Sequence, residues 1–486
     1  MTGSPSPSKR PVFAAVDIGA SGGRVIAGQI LDGMVTTEVV HRFDNGPVES
    51  PAGLRWDLTR LYDQVIIGLA ELTRRYPDVI RIGIDTWAVD YGLLDSDGHL
   101  VEEPHSYRDS RTTDAVAAVH DRIDPAELYT ITGLQFLPFN TIYQVVAEQT
   151  CPVWERVAKI VLLPDLLAYW LTGDLATDVT NASTTALMDA TTRDWSDRLL
   201  EIAGLGRDLL PPIEPAGSVR GRITEAVAER TGLGTDVVVT TVGSHDTASA
   251  VAAVPATEKG FGYVSSGTWS LVGIETADPI LTEASRAANF TNEGGVDGRI
   301  RYLRNEGGLW LLQESLRHWA KTGHDHDLGE LLEQAAALPA GGPTIDVGAE
   351  EFIAPGDMPS RIGDACRRSG QAAPESPAAI TRCVLDSLAA AYARTLHEAT
   401  ELSGQEVDRL HIVGGGSQNE LLCQLTADAT GLPVIAGPIE ATALGNLLVQ
   451  ARSHGMVSGS LEDLRRIVAA SSSLTRYEPV DRPRDL

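Results

Sequence analysis

Two stretches of the chain share one local design: an apolar strand, a turn almost bare of side chains, and a second strand. The first is "VFAAVDIGASGGRVIAGQIL" and the second is "GFGYVSSGTWSLVGIET". Apolar runs of this length, broken by small residues, predict strands joined by hairpins. The turn residues Gly19, Ala20, Ser21, Gly22 and Gly23 offer little bulk, so backbone N–H groups there can approach an anion closely. Ser265, Ser266, Gly267 and Thr268 repeat the idea. One such hairpin says little. Two, one opening each half, predict a nucleotide gripped between two α/β lobes.

The organisation along the chain fits that reading. "LDG" is a second turn signal, so residues 12–43 read as three strands. "LYDQVIIGLAELTRRY" has helical spacing, and "VIRIGIDTWAVDYGLLD" reads as one strand. Residues 112–176 are mostly helical, and helices then alternate with strands up to "DVVVTTVGSHD". After the second hairpin comes a long helix, "RCVLDSLAAAYARTLHEATEL". "RLHIVGGGSQNELLCQLTADATG" and "LPVIAGPIEATALGNLLVQAR" each read as a strand leading into a helix. At 486 residues the chain exceeds what one core serves. The expected division is a leader over 1–11, one lobe over 12–254, a second over 255–475 and a tail over 476–486.

Charge and composition narrow the partners. With 39 basic against 66 acidic residues the formal charge is −27, a poor surface for nucleic acid or anionic lipid. No apolar run approaches the ~18 residues that span a bilayer. A cytoplasmic protein is expected, and Cys151, Cys366, Cys383 and Cys423 show no C-x-x-C spacing. "GHDHD" at residues 323–327 (His324, Asp325, His326 and Asp327 after the glycine) reads as a solvated loop rather than a metal site. A dinucleotide fingerprint at "VGGGSQNE" fails, because Asn419 stands where its third glycine belongs.

Several polar residues interrupt strand-like sequence, and each reads two ways. Asp17 ends the first strand beside the small-residue turn, placed to hold a hydrated Mg²⁺ near phosphates, with Arg24 as a local cation. Asp85, Asp90, Arg108, Asp109 and Arg111 suit either a polyhydroxylated ligand, with Trp87 over its apolar edge, or internal ion pairs. Trp269 reads as core. "TVGSHDTASA" ends a strand on Ser244, His245, Asp246 and Thr247. It is either a helix cap or a catalytic base at the mouth of a cleft.

Taken in order, "DIGASGGR", "GIDTWAVDYGLLD", "YRDSRT", "TGLQFLPFNTIYQ", "TNASTT", "GSHDTASAV", "YVSSGTWSLVG", "TNEGG", "LHIVGGGSQNELL" and "AGPIEATALGN" resemble the FGGY carbohydrate kinases over residues 12–452. The resemblance implies the two-lobed, actin-like ATPase architecture with ribonuclease-H-like lobes and an active site in the cleft between them. It also implies transfer of the γ-phosphate of ATP, with Mg²⁺, to the 1-hydroxyl of L-rhamnulose by a monomer or small homo-oligomer. By motif, Asp246 is the proton acceptor. Ala20, Ser21, Gly22, Gly23, Arg24, Thr268, Gln313 and Gly415 contact ATP. Ala88, His245, Asp246, Thr247 and Asn305 surround the sugar. Cys366 and Cys383 stand at a spacing that members of the family can join as a disulfide. Gly22-Gly23 stands where the family often carries a serine, and Ala88 where glycine is common, so one methyl narrows the sugar pocket. A kinase of another ketose or polyol (L-fuculose, L-ribulose, glycerol) and a non-enzymatic actin-like ATPase or sugar sensor are the alternatives.

Overall fold

The first three strands of the computed structural model fall where the turn signals put them: β1 (Val12–Gly19), β2 (Gly22–Leu31) and β3 (Met34–Asp44). Residues 11–480 are described; the expected leader up to residue 10 and tail residues 481–486 lie outside them. β1 is central, which is why Phe13, Ala14, Ala15, Val16 and Ile18 form a run with almost no polar break; all are buried. It pairs antiparallel with β2 and parallel with β4 (Val79–Thr86). With β5 (Val219–Arg222) and β6 (Val238–Thr240) the sheet order is β5-β6-β4-β1-β2-β3. Helix α1 (Leu58–Arg75) covers this sheet with Leu61, Val65, Leu69 and Leu72, and Asp57 caps its start.

The second sheet repeats the plan. Its hairpin is β7 (Phe261–Ser266) and β8 (Trp269–Thr276), followed by β9 (Thr291–Gly294), β10 (Ile300–Gly307), β11 (Arg409–Val413), β12 (Val434–Ala436) and β13 (Thr475–Tyr477). The order is β9-β10-β8-β7-β11-β12-β13. In both sheets an antiparallel set, three strands in the first and four in the second, leads through the first strand of the hairpin into two parallel ones. The edge strand β13 joins the second sheet, so residues 476 and 477 of the expected tail belong to it.

Between the sheets lie α2 (Asp246–Ala252) and α6 (Ala441–His454). Their buried Val251, Leu444 and Leu448 share one core with Phe13 and Ile26 of the first sheet and Tyr263, Leu303 and Val413 of the second. Gln450 donates to the Ala14 carbonyl at 3.0 Å, tying the late helix α6 to the first strand. The two helices cross so closely that a Cβ on Gly445 would sit 1.9 Å from the Ser249 carbonyl oxygen. Gly445→Ala is therefore expected to destabilise by about 1–3 kcal/mol through overpacking. Chemical denaturation of the purified variant checks it; an unchanged midpoint would show that the crossing is looser.

Two local readings differ from the structure. "VIRIGIDTWAVDYGLLD" is two strands, since β4 stops at Thr86 and Tyr91–Leu94 pairs instead with Lys159–Leu162. The break turns on Val89, a β-branched residue at φ 66°, which no turn residue announces. At "VGGGSQNE" the glycines form a 3₁₀ turn, and α5 (Glu420–Thr430) starts only after Asn419, whose side chain caps it.

Candidate active site

At the parallel edges of the first sheet, three strand ends lie side by side. Asp17 on β1 is the register partner of Asp85 on β4. Thr86 in turn bridges His245, whose segment continues from β6. Asp17, Asp85 and Asp246 therefore meet at one edge, where α/β sheets place their ligands. The cleft there has a volume of about 890 Å³ and runs between the lobes.

All the residues expected at the site line this cleft: Asp17, Ala20, Ser21, Gly22, Gly23 and Arg24 from the first hairpin, Thr268 from the second, then Ala88, His245, Asp246, Thr247, Asn305, Gln313 and Gly415. Trp87 lines it as well. The turn of the first hairpin is only Ala20-Ser21, closed by the pairing of Gly19 with Gly22, so Arg24 already lies within β2. A Cβ at Gly23 would meet the Phe43 ring at 2.3 Å, so a side chain at this strand position requires that ring to move. Arg24 faces Asp17 across the hairpin and donates to its Oδ2 from Nε (3.0 Å) and Nη2 (2.8 Å), while Nη1 pairs with Glu440 at 2.9 Å.

The capping alternative for "SHDT" is not what the structure holds. His245 occupies the N-cap of α2 without a side-chain cap bond, and Asp246 is the first helical residue. Its carboxylate accepts from Thr247 Oγ1 at 3.2 Å and remains 29% exposed toward the cleft. Burial raises its pKa, the nearby Asp17 adds to the rise, and His245 opposes it. A carboxylate poised in this way is suited to accept a proton.

Asp85 is fully buried and accepts from Asn446 Nδ2 at 2.5 Å, with Oδ1 left without a partner. Burial first, and Asp17 second, hold its carboxyl well above the usual range. An acid whose folded pKa is raised favours folding at low pH, and that contribution is lost as pH rises through the raised value. Asp85→Asn keeps an oxygen for Asn446 and cannot ionise. Its unfolding midpoint without nucleotide is expected to fall less than the wild type's as pH rises from about 4. Parallel curves for the two proteins would remove Asp85 as the source.

The other polar residues of that region settle as internal pairs. Asp90 accepts from Trp56, Trp87, Tyr107 N and Gln144, and thereby aims Trp87 at the cleft. Asp109 accepts from Leu54 N at 2.7 Å, and Arg111 binds Gln144 and Glu148. Arg108 crosses to the second lobe, donating to the Ile353 carbonyl and lying 4.1 Å from the Trp310 ring centre. None of these four lines the cleft. Trp269 does, besides packing in the core, and its Nε1 donates to Tyr107 at 3.2 Å. In "GHDHD", Asp327 caps the helix Leu328–Ala336. Cys366 and Cys383 are buried free thiols with sulfurs 3.9 Å apart, in contact and unbonded.

Three cleft residues escape a reading by motif. Gln135 accepts from the backbone N–H (2.8 Å) and the side-chain amide (3.0 Å) of Asn305, and fixes it. Glu293 sits behind His245, and Glu440 holds Arg24 from the second lobe. In "LQFLPF" and "GPIEAT" the residues Gln135 and Glu440 stand among mostly small or apolar neighbours, while Glu293 lies in the more polar "TNEGG" with no local sign to single it out.

Residues 12–253 match the N-terminal domain, and residues 262–454 the C-terminal domain, of the FGGY family of carbohydrate kinases. A rhamnulokinase of Bacteroides thetaiotaomicron is 40% identical over 471 residues, covering 96% of each chain. Among solved structures, a gluconate kinase from Lactobacillus acidophilus superposes with a TM-score of 0.76 at 17% identity, over 97% of this chain and 94% of that one. A Plasmodium falciparum glycerol kinase with ADP gives 0.75 at 16% identity, over 97% and 95%. At such identity the likeness speaks for the fold.

Proposed function

The chain belongs to the FGGY family of carbohydrate kinases, with the two-lobed fold of the actin-like ATPases, and we propose that its acceptor is L-rhamnulose, phosphorylated on the 1-hydroxyl by ATP. The observation that carries the chemistry is the Asp246 carboxylate, set in the first turn of α2, free of any capping bond, and facing the cleft. The whole-length relative is what favours this sugar over others.

Phosphoryl transfer asks the protein chiefly for position and charge. The ketose lies against Trp87 and Ala88, with His245, Thr247 and the Gln135–Asn305 pair around its hydroxyls. Asp246 accepts a hydrogen bond from the 1-hydroxyl and takes its proton as that oxygen attacks the γ-phosphorus, whose bond to the bridging oxygen breaks so that ADP leaves. The N–H groups of the Ala20-Ser21 turn, with Thr268 and Gly415, meet the phosphates of ATP. The hard oxygen donor Asp17 suits Mg²⁺ held through water, and the ion would neutralise phosphate charge there. Arg24, paired with both Asp17 and Glu440, would add a fixed positive charge at the phosphate end of the cleft. Closure of the lobes over both ligands excludes water.

The test is ADP release with Mg²⁺-ATP over a panel of ketoses and polyols. Fast turnover on L-rhamnulose alone supports the proposal. Preference for L-fuculose, L-ribulose or glycerol would replace the sugar and keep the chemistry. The observation that favours this second reading is Ala88, whose methyl group lines the cleft.

A further inference from the structure

Behind His245 lies a buried group of charges that the reaction above does not use. Arg301 is wholly inaccessible, on β10, and its register partner across the strand pair is Glu293 on β9. Its guanidinium is held on three sides. Nε donates to the Gly294 carbonyl at 2.9 Å, Nη1 pairs with Glu293 Oε2 at 3.0 Å, and Nη2 lies 3.1 Å from Nδ1 of His245. Glu293 Oε2 is itself 3.3 Å from the same nitrogen. Arg301 does not line the cleft, so whatever it does for the substrate it does through His245.

Arginine has donors only. A guanidinium N–H aimed at Nδ1 requires a lone pair there, which puts the ring proton on Nε2. That nitrogen faces the cleft, 3.6 Å from Asp246 Oδ1, beyond a good hydrogen bond. Its proton is therefore not consumed by Asp246. The opposite tautomer would give Nδ1–H to Glu293 and turn a lone pair toward the Asp246 carboxylate. Buried Glu293 alone would select that wrong form, and Arg301 prevents it while Glu293 neutralises the guanidinium.

We propose that Arg301, with Glu293 as its counter-ion, is a positioning residue that holds His245 as the Nε2–H tautomer, and that this N–H donates to the oxygen on C2 of the ketose. The second clause rests on the proposed acceptor: when the 1-hydroxyl lies at Asp246, the neighbouring oxygen is O2. A donor fixed there orients C1 and leaves Asp246 to the attacking hydroxyl alone.

The first experiment is ¹⁵N NMR of histidine-labelled full-length protein, with His245→Gln to assign the signal. The expected form in the wild type is Nε2–H; Nδ1–H overturns the proposal whatever the variants do. Arg301→Met should shift the ring toward Nδ1–H. It should also raise the KM of the ketose by about tenfold, the loss of one hydrogen bond, with the KM of ATP unchanged. Combined with His245→Gln, Arg301→Met should cost nothing further, because its effect runs through the ring. A 2-deoxy analogue of the ketose, which has no O2, should be handled alike by wild type and Arg301→Met. Equal losses on both acceptors would reduce Arg301 to a structural role. If Arg301→Met does not fold, the wild-type tautomer and the 2-deoxy comparison in His245→Gln decide. If the sugar panel selects another acceptor, the tautomer assignment stands and the O2 clause falls.

Discussion

An Asp246→Asn enzyme is expected to lose a factor on the order of 10² or more in kcat, within or above the range for removal of a general base. The KM of the sugar should change far less. Asparagine keeps the volume and one oxygen, and His245, Thr247, Trp87 and the Gln135–Asn305 pair remain around the ligand. What is lost is the carboxylate proposed to accept the proton of the attacking hydroxyl. The same carboxylate should mark the wild-type pH profile. Burial and Asp17 raise its pKa, and it works ionised, so kcat/KM should fall as pH drops through a value above the ordinary aspartate range. Steady-state kinetics across pH, with the variant beside the wild type, check both statements. Near wild-type turnover in a pure Asp246→Asn sample would take the role away from this residue.

The expectation about Asp246 also shows what a chain can announce. The hairpins were legible because a strand's apolar run and a bare turn are local signals: Gly19 pairs with Gly22, and Asp32-Gly33 closes the next turn with positive φ at both residues. Asp17 and Asp246 were legible as carboxylates at strand ends, and the family pattern in "GSHDTASAV" chose between base and cap. The break after Thr86 was not legible, because Val89 adopts φ 66° for tertiary reasons: Thr141 and Gln144 both bond its carbonyl. The fate of Asp85, Asp90, Arg108 and Arg111 was left open for the same cause. Their partners are Asn446, Gln144, Ile353 and Glu148, far along the chain, and only the fold brings them together. Glu293, Gln135 and Glu440 illustrate the limit most clearly. Each comes from a different part of the chain and acts on a second residue, so no spacing within one segment could reveal it.

Asp17→Asn is expected to lower kcat/KM for Mg²⁺-ATP by on the order of 10², the scale of removing one preorganised charged contact at a transferring group. The two donors of Arg24 both land on Oδ2 of Asp17, which leaves Oδ1 for a hydrated cation. Asparagine keeps an acceptor for Arg24 and gives up the negative charge. Arg24 stays in place through Glu440, so its own contribution to the phosphates should survive. The loss should therefore appear as a demand for more Mg²⁺: the activity curve against Mg²⁺ shifts to higher concentration, while ATP binding without metal is unchanged. Asp246→Asn should show the reverse, a low kcat reached at a nearly ordinary Mg²⁺ concentration, because its main loss is the proton acceptor. Titrating Mg²⁺ against both variants separates the two carboxylates. An Asp17→Asn enzyme with the wild-type Mg²⁺ curve would mean that Asp17 serves only to hold Arg24, and the cation would then have to be anchored elsewhere in the cleft.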